Sequence, residues 1–73
     1  MKFETEEEND LYEIIIDYEN NNNLIIDNKL EILKHLHKFN QDVNWEKLGN
    51  YYEKYDARDW EDLMIKMIKE KIS

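Results

Sequence analysis

Apolar residues in the C-terminal two-thirds of the chain recur at steps of three and four, the spacing of one face of an α-helix. This pattern predicts three helices, over residues 28–39, 43–55 and 57–72. The last of them has acids near its start and lysines near its end, which suits the helix dipole. Its predicted buried face consists of Trp60, Leu63, Met64, Met67, Ile68 and Ile72.

Short polar residues precede the three predicted helices and are expected to cap them. Asn28 is expected to cap the first, Asp42 or Asn44 the second, and Asp56 the third. Gly49 lies inside the second helix, where glycine costs roughly 1 kcal/mol relative to alanine. The sequence therefore predicts either a bend or a closely approaching neighbour at Gly49.

The first third of the chain shows a different period. Residues 1–5 and, apart from Ile15, residues 12–18 alternate apolar with charged positions, as a half-buried strand does. The intervening EEND stretch, residues 7–10, has turn-forming composition, and residues 24–26 are a candidate third strand. The pattern predicts an α+β fold, in which a small N-terminal antiparallel β-hairpin or meander packs on three C-terminal α-helices.

A helix over the same N-terminal segment is the alternative. Thr5 and Glu8 have the spacing of a capping box, and Leu11, Ile14 and Ile15 share one face of a helix. The fold would then be an all-α four-helix bundle. The hairpin is preferred because it also gives buried positions to the apolar residues at the start of the sequence.

Acidic residues are concentrated in this N-terminal segment. The chain has 73 residues and a formal net charge of −8. Residues 1–27 contain nine acids and one base, whereas residues 28–73 contain nine of each. Such a negative region repels nucleic acid and favours partners with basic surfaces. We interpret residues 1–73 as one small domain with an acidic region, 1–27, and a helical region, 28–73.

The composition narrows the class of protein. There is no cysteine, so disulfides and thiolate metal ligands are unavailable, and a core of this size needs aromatic and aliphatic packing, oligomerisation or a partner for stability. No apolar run approaches the length of a membrane span, and no basic-then-apolar leader begins the sequence. We expect a cytoplasmic protein without a membrane partner, in the host cytoplasm if it is encoded by a phage.

Motifs for catalysis and cofactor binding are missing from the sequence. It has no nucleophile elbow, no phosphate-binding glycine loop and no HExxH pair. His35 and His37 lie about 200° apart on a helix and cannot share one ion, and Glu31 with His35 is interpreted as a surface pair. DNA binding is disfavoured because DARDWED, which opens the last helix, has four acids and one arginine. We expect no enzyme, no cofactor and no metal site.

The acidic surface is the candidate functional site. On the predicted hairpin, carboxylates would be spaced about 6.6 Å along a strand and about 4.8 Å between strands. Such an array can stand in for nucleic-acid phosphates in the groove of a basic protein, with exposed apolar residues as anchors. The predicted partner-binding residues are Glu4, Glu6, Glu7, Glu8, Asp10, Leu11, Glu13, Ile15, Asp17 and Glu19.

The composition also indicates a functional class. The chain resembles the small, acidic, cysteine-free proteins with which phages and mobile elements inhibit host enzymes. Its many Asn, Ile, Lys and Tyr residues indicate an AT-rich source. We therefore expect a protein-interaction module of this kind, an inhibitor that binds a basic, nucleic-acid-handling host protein as a nucleic-acid mimic.

A second hypothesis is a homodimeric structural or regulatory module, or an antitoxin-like or immunity-like partner protein. Its contact surface would be the aromatic helical region or an open sheet edge. In the aromatic region, Trp45, Tyr52 and Trp60 recur at helical spacing and are expected in the core. Tyr51 lies on another face and is expected to be exposed.

Overall fold

Four α-helices make up the structure, a computed structural model that describes residues 5–72. The helices span Glu6–Asn21 (α1), Lys29–Asp42 (α2), Trp45–Tyr55 (α3) and Trp60–Ile72 (α4). The three helices predicted in the C-terminal two-thirds are confirmed, with small shifts at their ends.

The predicted N-terminal hairpin is wrong, and the all-helical alternative is correct. Residues 6–21 form α1, and no residue between 5 and 72 lies in a strand; residues 24–26 are part of a loop. Leu11, Ile14 and Ile15 are all buried on one face of α1, whereas a strand would direct Ile14 away from the other two. The strand predicted at 1–4 lies outside the described residues.

Local signals support α1 at both of its ends. The Thr5 hydroxyl accepts a hydrogen bond from the backbone N–H of Glu8 at 3.2 Å, as an N-cap does. Three glutamates occupy the first turn, near the positive end of the helix dipole. After the C-cap Asn22, Asn23 has a left-handed backbone with φ 53°, a conformation that asparagine tolerates better than most residues. The asparagine run therefore ends the helix.

The core is formed by three of the four helices. α1 packs against α2 and α4, which also contact each other, whereas α3 packs mainly against α4 and contributes no fully buried residue. Among residues 5–72, Ile26 is the one buried residue that comes from a loop. The buried hydrophobic residues are Leu11, Ile14, Ile15, Ile26, Ile32, Leu33, Leu36, Leu63, Met64, Met67 and Ile68.

The aromatic residues cover this core unevenly. Trp60 is half-buried, and its indole N–H donates to Asn40 Oδ1 at 2.7 Å. Tyr51 was expected to be exposed but is half-buried, with its ring edge-to-face against Phe39 at 4.8 Å. Trp45 was expected in the core but is 88% exposed, because it is the first residue of α3 and lies at the margin of the face that packs on α4.

The predicted caps are only partly correct. Asn44 caps α3, since its side chain accepts from the Lys47 N–H at 2.8 Å, but the Asn28 side chain forms no capping bond. Asp56 ends α3 in a left-handed conformation, and Asp59 instead accepts from the Asp62 N–H at 2.8 Å in the first turn of α4.

Gly49 lacks one of the two features expected for it, a closely approaching neighbour. The helix α3 continues through this position without interruption. A Cβ atom added to Gly49 would have no neighbour within 4 Å. Neither its backbone nor its neighbours within the described residues require a glycine.

Substitutions along α1 should separate its buried and exposed faces. Ile15→Ala should lower the free energy of unfolding by about 2–5 kcal/mol, comparable with the whole stability of so small a core, and Ile15→Lys should leave the chain unfolded. Glu13→Lys, on the outer face, should change it by about 0.5 kcal/mol or less. Urea denaturation followed by circular dichroism measures all three. Equal tolerance of lysine at both positions would contradict the packing of α1.

Candidate protein-interaction surface

A row of carboxylates follows the outer face of α1. Glu6, Asp10, Glu13 and Asp17 are all exposed and are separated by steps of four, three and four residues. These steps place them on one line along the helix, about 16 Å from first to last at 1.5 Å per residue. We call these four residues the acidic stripe.

The acidic stripe has no salt-bridge partner among residues 5–72. The three salt bridges there join Lys29 to Glu19, His37 to Glu7 and Lys66 to Asp62. Like charges three and four residues apart disfavour a helix by a few tenths of a kcal/mol per pair. Burial of the opposite, apolar face of α1 therefore has to offset a repulsive outer face.

Leu11 and Ile15, predicted as exposed anchors on the acidic surface, are not part of it. Both have 0% exposure and lie in the core. The helical period turns them toward α2 and α4, on the side of α1 opposite the stripe. Their assignment as contact residues depended on the hairpin and is corrected with it.

Ile16 is the apolar residue that does border the stripe. It is half-buried, three residues after Glu13, and it is absent from the hydrophobic residues that pack against the core. Sequence reasoning missed it because the strand pattern assigned Ile16 to the buried face. A helical wheel of α1 would have placed it beside the acids.

Glu7 and Glu8, also predicted as contact residues, have partners within the chain. Glu7 Oε1 lies 3.1 Å from His37 Nδ1 and joins α1 to α2. Glu8 accepts a hydrogen bond from the Thr5 hydroxyl at 3.1 Å, within the N-cap of α1. Glu4 lies outside the described residues.

Glu19 closes the loop between α1 and α2. Its Oε2 atom accepts the backbone N–H of Ile26 at 2.6 Å and the Lys29 ammonium at 2.9 Å. Lys29 Nζ also donates to the Ile26 carbonyl at 3.1 Å. The Ile26 N–H, and then Lys29, lower the pKa of Glu19, and the hydrogen bond to Glu19 raises the pKa of Lys29. Glu19 is therefore a structural residue, and it holds Ile26 at the edge of the core.

The histidines do not form a metal site with the acids around them. Within residues 5–72, no three His, Cys, Asp or Glu side chains are grouped so as to hold a metal ion. His37 pairs with Glu7 across two helices, whereas the predicted pair of Glu31 with His35 is absent from the salt bridges of this region. Burial, and then the nearby Lys71, lower the pKa of His35.

Three exposed large apolar side chains in residues 5–72 lie outside α1, and Leu30 in the first turn of α2 is the least exposed of them, at 46%. Trp45 is 88% exposed at the start of α3, and Ile25 is 84% exposed in the loop before α2. The described helices include none long and apolar enough to cross a bilayer.

Comparison of the chain with protein-family models, with curated proteins and with solved structures finds no match. The candidate surface therefore rests on the geometry of the described residues.

Glu19→Gln should change how stability depends on pH. Because the folded pKa of Glu19 is below its ordinary value of 4.5, its contribution is complete above that value and is lost as the pH falls through the lower folded pKa. Glu19→Gln should therefore be less stable than the wild type at pH 7, and the difference should shrink between about pH 5 and pH 3. Urea midpoints across this range measure the effect.

Glu13→Gln is the matched control, since Glu13 is an exposed carboxylate on the same helix. It should keep the wild-type profile. If the urea midpoints of Glu19→Gln ran parallel to those of the wild type over the whole pH range, the structural role assigned to Glu19 would be wrong.

Proposed function

We propose that this chain is a small acidic protein-interaction module that binds a basic protein surface through the acidic stripe of α1. The observation that carries the proposal is the row of four exposed carboxylates with no salt-bridge partner among residues 5–72. A cationic partner would relieve the repulsion along this row. Complementary charge of this kind speeds association and selects the partner.

Apolar contact beside the charges would supply most of the affinity, since exposed ion pairs contribute little. The half-buried Ile16, at the flank of the stripe, is the residue we propose for this contact. It takes the anchoring role that the sequence suggested for two residues now found in the core.

The proposed target is a nucleic-acid-handling protein, because such proteins carry basic surfaces. Inhibition would follow from covering that surface. Close mimicry of nucleic acid is less well supported, because the stripe presents one carboxylate per about 5.5 Å of helix, whereas each DNA strand carries one phosphate per about 3.4 Å. The denser array, with carboxylates on two neighbouring strands, was possible only on the hairpin.

Two variants of equal charge test the proposal. The stripe variant carries Glu6→Gln, Asp10→Asn, Glu13→Gln and Asp17→Asn. The control variant carries Asp27→Asn, Glu31→Gln, Asp42→Asn and Glu61→Gln, all exposed acids outside α1. Both lose four negative charges and should keep a helical circular dichroism spectrum.

The wild-type chain, immobilised, should retain a basic protein from the lysate of a low-GC bacterium, identified by mass spectrometry. With that protein purified, the stripe variant should bind at least about tenfold more weakly, a change of about 1.4 kcal/mol, and the control variant about as the wild type does. Wild-type binding should weaken steeply with added salt. Equal loss in both variants, or binding that is insensitive to salt, would contradict the role of the stripe.

A further inference from the structure

The outer face of α3 combines two features that contribute nothing to the packing of residues 5–72. Trp45 is 88% exposed, although a tryptophan buries a large apolar area when it finds a partner. Gly49, four residues later on the same line of the helix, leaves open space where a Cβ would lie. Glu46 and Glu53, both exposed, lie beside them. We call these four residues the Trp45 face.

Gly49 destabilises the free protein, and no contact that it makes within residues 5–72 compensates for this loss. Glycine within a helix lowers the folding equilibrium constant about fivefold relative to alanine, yet Gly49 has no positive φ and no near neighbour. A glycine on a helix surface does permit another chain to approach the helix backbone closely. Gly49 therefore makes a notch beside the projecting indole of Trp45.

The charges on this face indicate the kind of chain that would cover it. Glu46 and Glu53 border the notch, whereas Lys47 and Lys54 lie about 100° further round α3. A second copy would bring a net charge of −8 toward the same two glutamates. A partner with lysine or arginine at its borders complements them.

We propose that the Trp45 face docks an amphipathic helix of a different protein, one whose apolar side is bordered by lysine or arginine. An apolar side chain of that helix enters the notch at Gly49, the indole of Trp45 packs against the same apolar side, and the basic borders pair with Glu46 and Glu53. Tryptophan is among the residues that most often dominate binding energy at protein interfaces.

This surface is separate from the acidic stripe. No Cα atom of α1 lies within 8 Å of one in α3, and both helices pack on α4. Binding at the Trp45 face therefore does not depend on the function proposed for α1.

The test uses the full chain labelled with 5-fluorotryptophan, in which fluorine NMR reports Trp45 and Trp60 separately; Trp45→Phe assigns the two signals. The probe is a designed 18-residue helical peptide with a leucine side bordered by lysines. We expect a saturable shift of the Trp45 signal, while the half-buried Trp60 stays unmoved. The same peptide with its leucines replaced by serine keeps the charge and should not shift Trp45.

Gly49→Ala separates docking from folding. It should raise the urea midpoint of the free chain and yet weaken peptide binding at least about fivefold, because the methyl group fills the notch. Trp45→Ala removes the reporting signal, so its binding is followed by the fluorescence anisotropy of labelled peptide; it should be at least about tenfold weaker, the loss of a central anchor. The stripe variant, with α1 neutralised, should retain the full Trp45 response.

Four results would overturn the inference. The first three are an unmoved Trp45 signal at saturating peptide, wild-type binding by Gly49→Ala, and a Trp45 signal that shifts with protein concentration alone. The third of these would assign the face to a second copy of this chain. Loss of the Trp45 response in the stripe variant would likewise show that the peptide acts through α1.

Discussion

Burial of the apolar face of α1 against α2 and α4 is the interaction on which the rest of the structure depends. Leu11, Ile14 and Ile15 join these helices into one core, and without them the remaining helices would have little left to pack around. The same helical period that buries these three residues turns the carboxylates of α1 outward. The repulsive outer face and the stabilising inner face of α1 are therefore two consequences of one packing arrangement.

The helical region was predictable from sequence because its apolar residues have only one regular period. Over 11–18 the periods of helix and strand coexist, since a run of three isoleucines fits either one. The local signal at Thr5 and Glu8 favoured the helix and was correct. The strand was preferred because of the alternation in the first few residues. Local alternation carries no information about the groove between α2 and α4 in which α1 packs. Tertiary packing overrode the local alternation.

The exposed acids of the candidate surface were also predictable, because charge alone places them in solvent. Their partners were not. Glu7 and Glu19 are tied to His37 and Lys29 by contacts between different helices, which a linear pattern cannot reveal. The burial of Trp45 was predicted wrongly for a related reason. Its spacing relative to Tyr52 is helical, but at the first turn of α3 it has no neighbouring element to pack against.

The separation of α1 from α3 affects how many partners the chain can bind at one time. Both helices pack on α4 with no Cα atoms within 8 Å of each other, and the longest dimension is 33 Å. If both proposed surfaces bind, the chain can bridge two proteins or bind one protein at two points, and the second attachment then proceeds at the high effective concentration set by the first. Because the bridge is a packed core and not a flexible linker, the relative orientation of whatever the two helices hold would be fixed.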